Sequence, residues 1–78
     1  MNMKKNELIE IFRVVLEIEE PSEVETARRL DHPRWDSLAH ISLVVAIESE
    51  FGLQLSIVEM DRMTSFAATK LMLEEKRL

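Results

Sequence analysis

Residues 36–52 read DSLAHISLVVAIESEFG, and the spacing of their apolar members decides the fold. Ile41, Val44, Ile47 and Phe51 recur at i, i+3, i+6 and i+10, which gathers them on one side of an α-helix as a core stripe. The helix follows Ser37 and runs to Phe51. Gly52 then supplies the left-handed residue that only glycine adopts cheaply, so the helix stops there. A second side carries Leu38, Ser42, Val45 and Ser49 at spacings of four, three and four. The core does not require this side. This small, partly apolar strip is either a docking surface, the reading favoured for Val45, or a face on which Leu38 and Val45 pack under the long first loop.

Outward from this helix the pattern stays helical, and no alternating strand pattern persists. Upstream, Leu8, Ile9, Phe12, Val15 and Leu16 form the stripe of an amphipathic helix over residues 4–18. Pro21 and Ser22 end it and open a long polar connection up to Trp35. Val24, Ala27 and Leu30 in that connection are expected to tack onto the core. Pro33 keeps the residue before it extended and blocks an early helix. Downstream, LQLS is a short extended link, and IVEMD at 57–61 is long enough for one or two helical turns. Thr64 and Ser65 are N-cap candidates for a last helix over 66–76, in which Phe66, Ala67, Leu71 and Met72 are expected to bury. The fold class is all-α: one domain over 1–78, a small four-helix bundle with three longer helices, a short third helix and a long first loop.

The chain has 78 residues, no cysteine and a net charge of −5. One domain of this size has a modest core and no room for a deep substrate pocket beside a catalytic scaffold. Without cysteine there is no disulfide, no thiolate nucleophile and no zinc–thiolate site. The N-terminus mixes charge into its apolar positions, unlike a signal peptide. No apolar run approaches the roughly 18 residues of a membrane span. The expectation is a cytoplasmic monomer that binds neither membrane nor nucleic acid, whose phosphates call for Lys and Arg. Between Asp36 and Asp61 there are acids (Asp36, Glu48, Glu50, Glu59, Asp61) but no Lys or Arg. A one-signed segment either steers a basic partner or is a solvated face.

Ser37 stands at the mouth of the central helix. As N-cap it would satisfy an orphan amide, worth about 1 kcal/mol. Asp36 can do the same and also complements the helix dipole. The third residue after Ser37 is His40, so no capping box forms. A hydrolytic serine needs a base, an orienting acid and an oxyanion hole. His40 is near in sequence, but there is no Gly-x-Ser-x-Gly elbow and too little chain to enclose a substrate. His32 and His40 read as surface histidines, and with Asp31 or Asp36 they match no metal-ligand spacing. No catalytic residue and no metal site is assigned. Physical reasoning alone leaves Ser37 open between a helix cap and an attachment site.

With its DSL at 36–38, the long apolar helix closed by AIESEFG at 46–52, the short third helix and the Thr-Ser start of the last one, the chain resembles the acyl carrier protein family over essentially its whole length. The resemblance implies that Ser37 carries 4'-phosphopantetheine, installed from coenzyme A by a separate phosphopantetheinyl transferase with magnesium, and that Asp36 helps position the attachment. It implies a phosphoprotein that is a substrate of enzymes and not an enzyme. Acyl or aminoacyl groups would ride as thioesters from a loading ligase or transferase to downstream synthase enzymes. A phosphodiester at Ser37 would lie at a helix N-terminus, where amides and dipole favour an anion. The core of Phe12, Ile41, Val44, Ile47, Met60, Met63 and Phe66 would open to shelter an acyl chain. Partner docking falls to Leu38, Ser42, Val45 and Glu48 with Ile57 and Val58.

Some positions depart from the pattern. Fatty-acid carriers have acids two and five places after the serine, where this chain has Ala39 and Ser42. Ile57 and Val58 replace acids at the start of the third helix, and Pro33-Arg34 followed by Trp35 replaces the usual Leu-Gly. A less acidic, more apolar face implies dedicated partners in a polyketide, nonribosomal peptide or fatty-acid-related pathway. The alternative is a carrier-like docking adaptor that is never modified.

Overall fold

The computed structural model describes residues 4–76. They form five helices: α1 (Lys4–Leu16), α2 (Pro21–Val24), α3 (Ser37–Phe51), α4 (Ile57–Arg62) and α5 (Phe66–Glu75). Among the described residues there is no strand, only a single antiparallel bridge between Arg28 and Ser65. None of these helices is long and apolar enough to cross a membrane. α1 packs on α3, and also on α2 and α5, while α4 leans on α5.

Two helices end by the same device. After α3, Gly52 is left-handed at φ 64°, and the Leu53 amide reaches back to the Glu48 carbonyl at 3.2 Å. After α1, Glu17 takes the left-handed position at φ 57°, and the Ile18 amide reaches the Arg13 carbonyl at 3.0 Å. Both are Schellman-type closures. A glutamate there costs roughly 1 kcal/mol of backbone strain and gives no warning in the sequence, so α1 stops at Leu16 and not at Ile18. The one-turn α2 is a further difference. Pro21 is pre-set for a first helical turn, and the turn carries Val24 into the core.

Phe12 is the centre of the core. It is fully buried and meets Trp35 and Phe66 edge-on, with centroids 5.4 Å and 5.2 Å away. Each such pair contributes about 0.5–1.5 kcal/mol beyond burial. Leu8, Leu16, Leu43, Val44, Ile47, Met63 and Met72 fill the space around them. The long connection before α3 is pinned to the start of α5 by Arg29 N–H to the Thr64 carbonyl (2.9 Å) and Phe66 N–H to the Ala27 carbonyl (3.0 Å).

Several burial expectations are corrected. Ile41 is 60% exposed and is not a core residue, whereas His40 is buried. One residue advances a helix by 100°, and His40 lies between the directions of Ile47 and Phe51, with Ile41 turned away from them. Leu30 is 92% exposed, at the tip of the connection, and does not tack onto the core. Ala67 and Leu71 lie on the outer side of α5, where Thr69 and Leu73 bury in their place. Met60 is only partly buried.

The buried imidazole ties three segments together. The Trp35 Nε1–H donates to His40 Nδ1 at 3.0 Å, and His40 Nε2 lies 2.9 Å from the Met60 carbonyl. Indole nitrogen is a donor only, so Nδ1 accepts and Nε2 carries the hydrogen given to Met60. His40→Leu keeps the bulk but strands the indole N–H and removes a partner from the carbonyl. An unpaired buried group costs about 1–3 kcal/mol, so urea unfolding is expected to show a loss near 2 kcal/mol. An unchanged midpoint would mean these bonds contribute nothing net to stability.

Candidate functional site

The N-terminus of α3 divides its labour between two neighbours. Asp36 is the N-cap, extended at φ −91° and ψ −172°, and its Oδ1 accepts the Ala39 N–H at 2.8 Å. Ser37 is the first helical residue and is exposed. With the capping bond already made by Asp36, the Ser37 hydroxyl has no hydrogen-bond partner among the described residues. The first amides of α3, those of Ser37 and Leu38, have no intrahelical acceptor by construction. The result is an unengaged hydroxyl beside free amides at the positive end of a 15-residue helix, an arrangement that suits an anion attached at Ser37 Oγ.

The flanking residues explain why this end is held firmly. Trp35 precedes the cap and stacks on His40, with centroids 6.1 Å apart and planes 24° apart. These are the N′ and N4 positions of a hydrophobic staple, which fixes how the chain enters a helix. Trp35 is the residue that sequence reasoning left without a role. The staple spacing, a large apolar residue just before the cap, is the signal that finds it.

The histidines do not converge. Both His40 nitrogens are committed, to Trp35 and to Met60. His32 Nδ1 accepts the Arg34 N–H at 3.2 Å. His40, three residues from Ser37, therefore has no free ring nitrogen to act as its base. Among the described residues there is no group of three or more metal-ligating side chains.

Of the six expected docking residues, Leu38, Ser42, Val45, Ile57 and Val58 are exposed. Ile41 joins them as a sixth exposed residue. Glu48 is half-buried and turns inward, Oε2 accepting the Leu55 N–H at 2.9 Å, which fastens the link between α3 and α4. α4 is opened by a capping box in which Ser56 and Glu59 satisfy each other's amides. Its S-x-x-E spacing was readable in the sequence. A hydrogen bond from Lys76, and then the Ser56 amide, hold the Glu59 carboxyl below its usual range. A depressed carboxyl stabilises the fold above its unfolded pKa, and that contribution fades as pH falls through the folded value.

The cavity between the start of α1 and the end of α5, lined by Leu8, Phe51 and Leu73, measures about 10 Å³, the space of one water. The roomier spaces lie open on the surface. One of about 390 Å³ lies between Val15 and Glu17 on one side and Arg34, Asp36, Leu38, Ala39 and Ser42 on the other.

Compared with known proteins, the chain matches no family model and no curated relative.

The separation of roles at Asp36 and Ser37 is measurable. Asp36→Ala should lower unfolding stability by about 1 kcal/mol through loss of the cap. Ser37→Ala, at an exposed position with no bond to lose, should stay within about 0.5 kcal/mol. Equal losses in the two variants would mean that Ser37 shares the capping role.

Proposed function

We propose that this chain is a carrier protein of the acyl carrier type, a four-helix bundle with α2 as a one-turn addition, that bears 4'-phosphopantetheine on Ser37. The observation that carries the reading is the exposed, unbonded Ser37 hydroxyl at the first turn of α3, next to an aspartate that already does the capping. The resemblance of residues 36–52 and of the helices around them points the same way. When bound, the group supplies a thiol on which acyl or aminoacyl groups travel as thioesters.

The residues around Ser37 fit that group. Ser37 Oγ is accessible to a transferase, and loading would form its bond to phosphorus while the pyrophosphate bond of coenzyme A breaks. The hydroxyl proton leaves, and adenosine bisphosphate departs. The transferase brings the magnesium and the base, so no imidazole at Ser37 is needed. The amides of Ser37 and Leu38 would be the donors for the phosphodiester, and Asp36 would orient the segment. On this reading the protein is a substrate of enzymes, acting in the cytoplasm as a monomer.

Leu38, Ser42, Val45, Ile57 and Val58 are the docking residues, with Ile41 added and Glu48 mainly structural. Their apolar character suits dedicated loading and synthase enzymes of a polyketide, nonribosomal peptide or fatty-acid-related pathway. The same exposed apolar side chains favour one second reading, an unmodified docking adaptor.

Incubation with a broad-specificity phosphopantetheinyl transferase, coenzyme A and magnesium separates the two. The intact mass is expected to rise by one phosphopantetheine, and Ser37→Ala is expected to abolish the gain. No gain under conditions that load a control carrier would overturn the carrier reading in favour of the adaptor.

A further inference from the structure

We propose that the His40 corner is a pH-sensitive latch: a proton on its imidazole parts the Trp35 and Met60 contacts, so that Trp35 leaves its place and α4 loses its tie to α3 while the rest of the bundle stays folded. The latch does not depend on the carrier reading above.

The geometry leaves the ring no place for a second hydrogen. His40 is 8% exposed. Its Nδ1 accepts the Trp35 Nε1–H at 3.0 Å, and its Nε2 lies 2.9 Å from the Met60 carbonyl. Both nitrogens of an imidazolium are donors. The added hydrogen on Nδ1 would point at the indole N–H, which is itself a donor only and lies on the positive edge of its ring. One bond is lost, two donors are opposed, and a charge is shut into a buried site. Flipping the ring does not help, because it still brings two donors to one donor and one acceptor.

The surrounding charges are engaged elsewhere. Within three residues of Trp35, His40 and Met60, the charged or titratable side chains are His32, Arg34, Asp36, Glu59, Asp61 and Arg62. His32 accepts the Arg34 N–H, and Arg34 pairs with Glu17 at 3.2 Å. Asp36 accepts the Ala39 N–H. Glu59 pairs with Lys76 at 2.7 Å and Arg62 with Glu75 at 3.4 Å, while Asp61 is exposed. The ring bonds Trp35 and Met60 and no carboxylate, so water admitted by opening is what solvates the charged form. α4 yields first because it has no buried residue of its own, and segments with few buried contacts open locally. It carries the exposed Ile57 and Val58 with it.

The sign follows from proton uptake. The closed corner holds a neutral ring and the open one takes up a proton, so acid favours opening. Histidine is the side chain whose ordinary charge change falls between pH 5 and 8. Carboxylates stay largely ionised over that range, and Glu59, held below its usual range, responds only at lower pH. One proton per opening raises the ratio of open to closed by up to about tenfold per pH unit.

The chain's single tryptophan and two histidines make the latch directly observable. Acrylamide quenching of Trp35 and hydrogen-exchange protection of the Met60 and Met63 amides are followed from about pH 7.5 to 5, with exchange corrected for its intrinsic pH dependence. As pH falls, Trp35, now 3% exposed, should become at least about twofold more quenchable. Protection at Met60 and Met63 should fall while Phe12 and Leu43 stay protected. His32→Gln should keep the response, and His40→Gln, whose amide does not titrate, should abolish it. If His40→Gln does not fold, NMR titration of the wild type decides, since the His40 ring and the Trp35 indole must change with one midpoint. Flat quenching across the range, a response that persists in His40→Gln or vanishes in His32→Gln, separate midpoints for the two rings, or loss of all helices at once would overturn the latch.

Discussion

One imidazole holds the molecule's most important corner. His40 accepts the indole N–H of Trp35 on one nitrogen and donates to the Met60 carbonyl with the other. Through those two bonds the loop before α3, the first turns of α3 and the short α4 become a single unit. Trp35 then carries the connection to Phe12 and Phe66 in the core. A neutral imidazole has one donor and one acceptor, and both are used. A leucine at this position would pack but could not join the three segments. The exposure of Ile41 follows directly, because the core direction next to Ile47 is already taken by His40.

That corner matters because it fixes where Ser37 stands. With entry to α3 set by the Trp35–His40 stack, and the capping bond to the Ala39 amide made by Asp36, the Ser37 hydroxyl makes no bond that the fold uses. Capping falls to Asp36 and the staple to Trp35, while Ser37 stays exposed beside them. The same separation runs through α3. Its inner side is spent on Leu43, Val44, Ile47 and Phe51, its outer side offers Leu38, Ile41 and Val45, and the side toward α1 offers Ala39 and Ala46.

Much of this was legible in the amino-acid order. The bounds of α3 follow from the apolar period and Gly52, and the outer side of Leu38, Ser42 and Val45 follows from the same wheel. Ser65 announces α5, and its hydroxyl accepts the Ala68 N–H. What escaped has physical causes. A left-handed glutamate ends α1, and no residue preference signals it. α2 is too short to show a period. His40 is polar by type and enters the core only because two partners, one five residues upstream and one twenty downstream, satisfy it. Pattern reading assigns burial from polarity, so it exchanged His40 and Ile41. The exposure of Leu38, Ser42 and Val45 is unaffected by this exchange, because it depends on direction around α3, which the period fixes, and not on which neighbour fills the core.

The central claim is that Ser37, and no other hydroxyl, is the point of attachment. The chain offers five other serines, Ser22, Ser42, Ser49, Ser56 and Ser65. Ser56 and Ser65 spend their side chains on helix caps, while Ser42 and Ser49 lie beyond the first turn of α3. Peptide-level mass spectrometry after transferase treatment tests the claim most directly. The account predicts phosphopantetheine on the fragment containing Ser37, at that residue, approaching one group per chain. Modification at any other serine, or no modified fragment alongside a fully loaded control carrier, would contradict it.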